Sequence, residues 1–289
     1  MESTRKSFNL FDADNVPTDY LLRFLSDLKI TCFELDEVTD ELQRRYFPND
    51  LRLNQTEQYA LNQLKGACPG GKLLAHLTRL GFLNETKPTQ NRYNYAVWLG
   101  DSLEKAADRF DDLMTAWENG TRWDTTVILC SRRHLSRDLE NYQACCKEIG
   151  ILSENSIAHS SWHLIKPKTE HDMMSWIWQV FKGQHQGFFL AKQPLIIDVP
   201  FQKENGEYIH RTREDAIIEW LKQKPKQGSI LVSAGAPYGI CTDEIFWRLL
   251  HPKGFTVETF GHAAPNLTLE ALMKEVAECI YQIYKSRLR

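Results

Sequence analysis

The stretch YNYAVWLGDSLEKAADRFDDLMTAWENGTRWDTTVILCSRR, residues 93–133, decides the fold. Residues 93–100 are a short apolar run ending in Gly100, the pattern of a strand buried on both faces. Residues 102–120 then carry Ala106, Phe110, Leu113 and Trp117 on one helical stripe, with Gly120 as the C-terminal cap. A second apolar run, TTVILCS, follows at 125–131. Strand, long helix and strand make a βαβ unit, whose crossover runs its two strands parallel.

Downstream of this unit the same alternation continues. Helices fit 136–150 and 169–183, a strand fits 193–201, and a helix fits 212–224 with Thr212 as its cap. Strands at 228–234 and 255–261 flank a helix at 242–251, and a long helix over 267–288 closes the chain. Upstream, residues 1–90 read as helical, with helices at 20–29, 35–47, 53–67 and 72–83. The polar segment NETKPTQNR (84–92) marks the boundary. The expected architecture is therefore a helical N-terminal region, 1–90, and an α/β domain, 91–289, with a Rossmann-like open, mostly parallel sheet flanked by helices.

In such a sheet, ligands bind beyond the carboxyl ends of the strands, where loops meet and helix N-termini aim free N–H groups. The residues after each strand are thus the candidate site. After the first strand, Gly100 lets a backbone approach a ligand, and Asp101 can accept from a ribose or hold a cation. Ser131-Arg132-Arg133-His134 follows the second strand, and a guanidinium fork there suits an anion; Ser131 and Arg132 are the residues chosen. Glu170, in the first turn of its helix, is the candidate for acid–base work. Thr212, Arg213 and Glu214 open another helix, where Arg213 can hold a phosphate or carboxylate. Ser233 ends a strand before a Gly/Pro loop, in which Tyr238 can stack on a ligand. Each position also has a plain structural use as a cap, a turn or a solvated charge.

Several classes are excluded or set aside. A net charge of −3 and a pI near 6.3 give no general basic field for nucleic acid or anionic lipid. No stretch reaches the ~20 apolar residues of a membrane span, and the N-terminal segment lacks the apolar run of a secretory signal. The seven Cys are spread without CxxC spacing, so no structural metal site or disulfide framework is expected, and the location expected is cytoplasmic. His159 and His163 around Trp162 lack a third metal ligand, and no GxSxG or GxGxxG motif occurs. FNLFDADNV (8–16) superficially matches the Asp12/Asp14 motif of haloacid-dehalogenase-like phosphatases, but helical sequence follows where that family places its other catalytic groups.

Four stretches resemble the SanA, ElyC and YdcF family of α/β domains over residues 92–262. They are YAVWLGDSLEKAADRFDDLMTAWENG with VILCSRR, then KTEHDMMSWIWQ, HRTREDAIIEWL and SILVSAGAPYGICTDEIF. The resemblance implies a Rossmann-like fold and a pocket containing Gly100, Ser131, Glu170, Thr212 and Glu214. It also implies a nucleotide-like or adenosyl-type ligand, with S-adenosylmethionine or a nucleotide as the cofactor candidates. The chain departs from the family at Asp215, where Asn is common, and at Thr242-Asp243, where an Arg is expected. The function expected is small-molecule binding with an unassigned reaction, a transferase or hydrolase being the enzymatic forms. The alternative is a non-catalytic interaction protein that works through its helical N-terminal region.

Overall fold

A computed structural model of the protein describes residues 10–12, 16–32, 34–46, 70–135, 167–184, 193–200, 203–204, 207–208, 212–263 and 268–288. The chain divides into two compact units. One comprises Met1–Thr86, Ala234–Arg248 and Gly261–Arg289, and the other Lys87–Ser233 and Leu249–Phe260. The helices expected at 53–67 and 136–150 lie outside the described residues, as do Asp14, His159 and His163.

The Lys87–Ser233 unit is built on a five-stranded sheet of β1 (Arg92–Leu99), β2 (Arg122–Ser131), β3 (Leu195–Val199), β6 (Ser229–Ser233) and β7 (Thr256–Phe260). A separate antiparallel pair, β4 (Lys203–Glu204) with β5 (Glu207–Tyr208), lies between the strand expected at 193–201 and the helix expected at 212–224. The large sheet has the order β3-β2-β1-β6-β7, and every neighbouring pair is parallel. The expected open, Rossmann-like α/β class is therefore observed. β2 begins at Arg122, ahead of the apolar run, because Trp123 already turns into the core from an otherwise polar start.

Helix α4 (Leu103–Glu118) packs on β1 and β6, α5 (Glu170–Gln184) on β2, and α6 (Arg213–Lys222) on β2 and β3. The predicted stripe of α4 is buried at Ala106, Phe110 and Leu113, and Gly120 follows the helix with φ at +96°, a conformation that costs glycine little. Trp98 of β1 lies edge-on to Phe110, and its indole N–H donates to the Ala106 carbonyl at 2.7 Å. Met173, Ile177 and Trp178 of α5 complete this cluster. Full burial of each such side chain stabilises the unit by roughly 1.5–3 kcal/mol before conformational entropy is counted.

The other unit contains α1 (Asp19–Asp27), α2 (Leu35–Tyr46), α3 (Gly70–Arg79), most of α7 (Gly239–Leu250) and α8 (Leu269–Arg287). Thr18 caps α1, and Asp27 at its end accepts from Lys72 and pairs with His76 of α3, both at 2.7 Å. α2 packs on α8, where the Gln43 amide donates to the Ala277 carbonyl at 3.0 Å. The closing helix thus groups with the N-terminal helices, a pairing between segments remote in sequence that no local pattern encodes. Among the described residues, no helix is long and apolar enough to cross a membrane.

Candidate functional site

Strand order reverses between β1 and β6, which lie side by side with Trp98 in register with Ser233. In open parallel sheets this reversal leaves a crevice at the carboxyl ends, because the connections leave in opposite directions. The β1–α4 turn, Gly100-Asp101-Ser102, sits at that end.

The turn is held by charge. Arg109 of α4, only 3% exposed, donates from Nη1 to the carbonyls of Leu99 and Gly100 at 3.2 and 3.1 Å. Its Nη2 reaches the Asp101 carboxylate at 2.9 Å. A buried guanidinium thereby satisfies strand-end acceptors that the sheet leaves open, which explains an arginine on the inner face of α4. Burial pushes the Asp101 carboxyl up, but Arg109, Lys105 and Arg213 outweigh burial and hold it below its ordinary value. The second oxygen of Asp101 accepts from the N–H of Ser102 at 2.8 Å.

Glu170 enters the same place from α5. Thr169 and Asp172 form a capping box: the Asp172 N–H donates to the Thr169 hydroxyl at 3.2 Å, and the Thr169 N–H donates to the Asp172 carboxylate at 3.0 Å. The Glu170 N–H in turn donates to the Arg133 carbonyl at 3.0 Å. This start fixes Glu170 with its side chain 7% exposed. Its Oε2 accepts from the Ser131 N–H at 2.8 Å and the Ser131 hydroxyl at 2.6 Å, and its Oε1 accepts from Arg133 Nε at 3.2 Å. Arg133 also donates from Nη2 to the Asp101 carbonyl at 2.7 Å. A Cβ on Gly100 would stand 2.8 Å from Cδ and Oε1 of Glu170. The space that the glycine opens is therefore filled by this carboxylate.

The structure brings together Gly100, Asp101, Ser131 and Glu170, with Arg213 close enough to act on Asp101. Arg132 turns aside and pairs with Asp198 of β3. Thr212 caps α6 through a second capping box, with Asp215, and Glu214 is half-buried in that helix's first turn. Ser233 is fully buried and donates to Asp112 of α4 at 3.3 Å. Tyr238 belongs to the helical unit, where its N–H donates to the Gly235 carbonyl at 3.0 Å and its carbonyl accepts from the Thr242 N–H at 2.9 Å. The sequence reading missed Arg109 and chose Arg132 over Arg133. The only signal for Arg109 was its position beside Phe110 on the buried stripe, where a charge needs a buried partner.

Burial, then Glu170 and Asp198, push the Cys130 thiol well up, which leaves it a poor nucleophile at neutral pH. Among the described residues, no group of three or more His, Cys, Asp and Glu is placed to hold a metal. Comparison with models of protein families, with curated proteins and with solved structures finds no match to this chain.

Proposed function

We propose that the α/β unit is a small-molecule-binding domain whose ligand sits at the carboxyl ends of β1 and β2, against the Gly100–Ser102 turn. The observation that carries this reading is the network of Arg109, Asp101, Arg133 and Glu170 gathered at the carboxyl ends of β1 and β2 in an open parallel sheet. A nucleotide-like or adenosyl-type molecule is the ligand class proposed, in line with the short-motif resemblance to the SanA, ElyC and YdcF family over 92–262. Glu170 acts in this reading by positioning Ser131 and Arg133, since both its oxygens are already engaged. The enzymatic forms of this reading are a transferase and a hydrolase. The location proposed is cytoplasmic.

The test is thermal stabilisation of the full chain by a panel of nucleotides, sugar phosphates and S-adenosylmethionine, since a ligand that binds the native state raises the melting temperature. At least one member should raise it, and Glu170→Gln, which keeps shape and loses charge, should reduce that shift. A panel without effect on the wild-type protein contradicts the proposal.

A second reading, an interaction protein working through its helical unit, draws on Val16 before α1, Tyr20 of α1 and Leu74 of α3, which expose large apolar side chains. It predicts partner capture that Tyr20→Ser with Leu74→Ser abolishes while the ligand panel stays silent.

A further inference from the structure

We propose that Arg133 is the residue that recognises the ligand, by presenting the Nη1 amino group of its guanidinium to an oxyanion at this end of the sheet; the inference rests on the small-molecule reading above. The guanidinium is held on two sides. Its Nε meets Glu170 at 3.2 Å, and its Nη2 meets the Asp101 carbonyl at 2.7 Å and Glu170 at 3.1 Å. The main chain is fixed as well, because the Arg133 carbonyl accepts from Glu170 and the following His134 bridges to Thr169.

Those bonds use the Nε and Nη2 edge. Nη1 and its two hydrogens have no hydrogen-bond partner among the described residues, and the side chain is 34% exposed while Glu170 behind it is 7% exposed. The result is a part-exposed guanidinium anchored from within the protein through Nε and Nη2, with the Nη1 amino group left to donate. An arginine held this way binds a phosphate or carboxylate with its orientation fixed beforehand, so less rotamer freedom is lost on binding. Local charge agrees. Arg109, Lys105 and Arg213 act on Asp101 and hold its carboxyl below its ordinary value, and Arg133 joins the same turn through the Asp101 carbonyl.

The oxyanion has two natural sources in the proposed ligand class: the phosphate of a nucleotide, or the amino-acid carboxylate of S-adenosylmethionine. Titration calorimetry on the full chain separates them. Adenosine diphosphate and pyrophosphate probe the phosphate, S-adenosylmethionine the carboxylate, and adenosine and 5′-methylthioadenosine lack an oxyanion. One oxyanion-bearing probe should bind at least tenfold more tightly than its oxyanion-free counterpart. Arg133→Gln should remove about a tenfold or greater part of that affinity, as for loss of a hydrogen bond to a charged group, and weaken the oxyanion-free probes by less. Arg133→Lys, which keeps the charge but not the anchored planar guanidinium, should recover only part of it.

In the wild-type protein, where folding of a variant is not at issue, the Nε–H signal of Arg133 should move on titration with the oxyanion-bearing probe that binds. Equal affinity for the probes with and without an oxyanion overturns this inference and leaves the small-molecule reading standing. So does an Arg133 signal that stays still as such a probe saturates. If no probe binds the wild-type chain, the small-molecule reading and this inference both fall.

Discussion

The two ends of the central strands use one device with opposite chemistry. At the amino end, Asn94 of β1 folds over Gly228, and its side-chain oxygen accepts from the Ser229 N–H at 2.9 Å. At the carboxyl end, Glu170 folds over Gly100, and its side-chain oxygen accepts from the Ser131 N–H at 2.8 Å. Each glycine makes room for a side chain that caps a neighbouring main chain. The amino-end cap is neutral and solvent-exposed, and it stands beside an exposed Arg92–Asp124 pair. The carboxyl-end cap is a buried acid paired with Arg133, next to the turn that Arg109 holds. Burying charge costs several kcal/mol of hydration, which such a network recovers only with good geometry. A fold needs only the cheaper arrangement to close a strand end. The costlier one, at the end where parallel sheets bind ligands, is what a pre-arranged site requires.

The comparison breaks most readily at Arg109. Arg109→Met should destabilise the protein by about 3–5 kcal/mol in urea unfolding, because two carbonyls and the Asp101 carboxylate lose their buried partner. A loss within ~1 kcal/mol would mean that water replaces the guanidinium and that the carboxyl end is no more organised than the amino end. The paired glycines sharpen the contrast. Gly100→Ala should cost roughly 1–3 kcal/mol, since the displaced Glu170 carboxylate is tied on both oxygens. Gly228→Ala should cost less, because the exposed Asn94 can swing into water; equal costs would erase the distinction. The smallest effect belongs to Arg92→Ala, which breaks an ion pair with side chains 76% and 42% exposed and should stay within about 0.5 kcal/mol of the wild-type stability.

The fold was legible because its deciding signals are local. Residues 93–133 contain a buried run, an amphipathic stripe, a Gly cap and a second run, and each appears where its pattern falls. The TEHD sequence at 169–172 likewise encodes the capping box that aims Glu170. Strand order was not legible, since nothing local in β6 or β7 states that they lie on the far side of β1. Nor was the grouping of α8 with the N-terminal helices. Within the candidate site, Gly100, Asp101, Ser131 and Glu170 were found because they follow strands or begin a helix. Arg109 was missed because it lies mid-helix and reaches back two turns to the strand end, a relation set by three-dimensional packing. The choice between Arg132 and Arg133 depended on which face of the chain meets α5 just beyond β2, and adjacent residues with identical side chains carry no sequence signal for that.

The central claim is that a small molecule binds at the carboxyl end of β1 and β2, and amide chemical-shift mapping of the full chain tests it most directly. On titration with whichever nucleotide or adenosyl compound stabilises the protein, shifts should concentrate at residues 100–105, 131–135 and 170–172. Shifts centred instead on the amino-end residues 92–94, 122–124 and 228–229, or confined to the helical unit, would contradict the account.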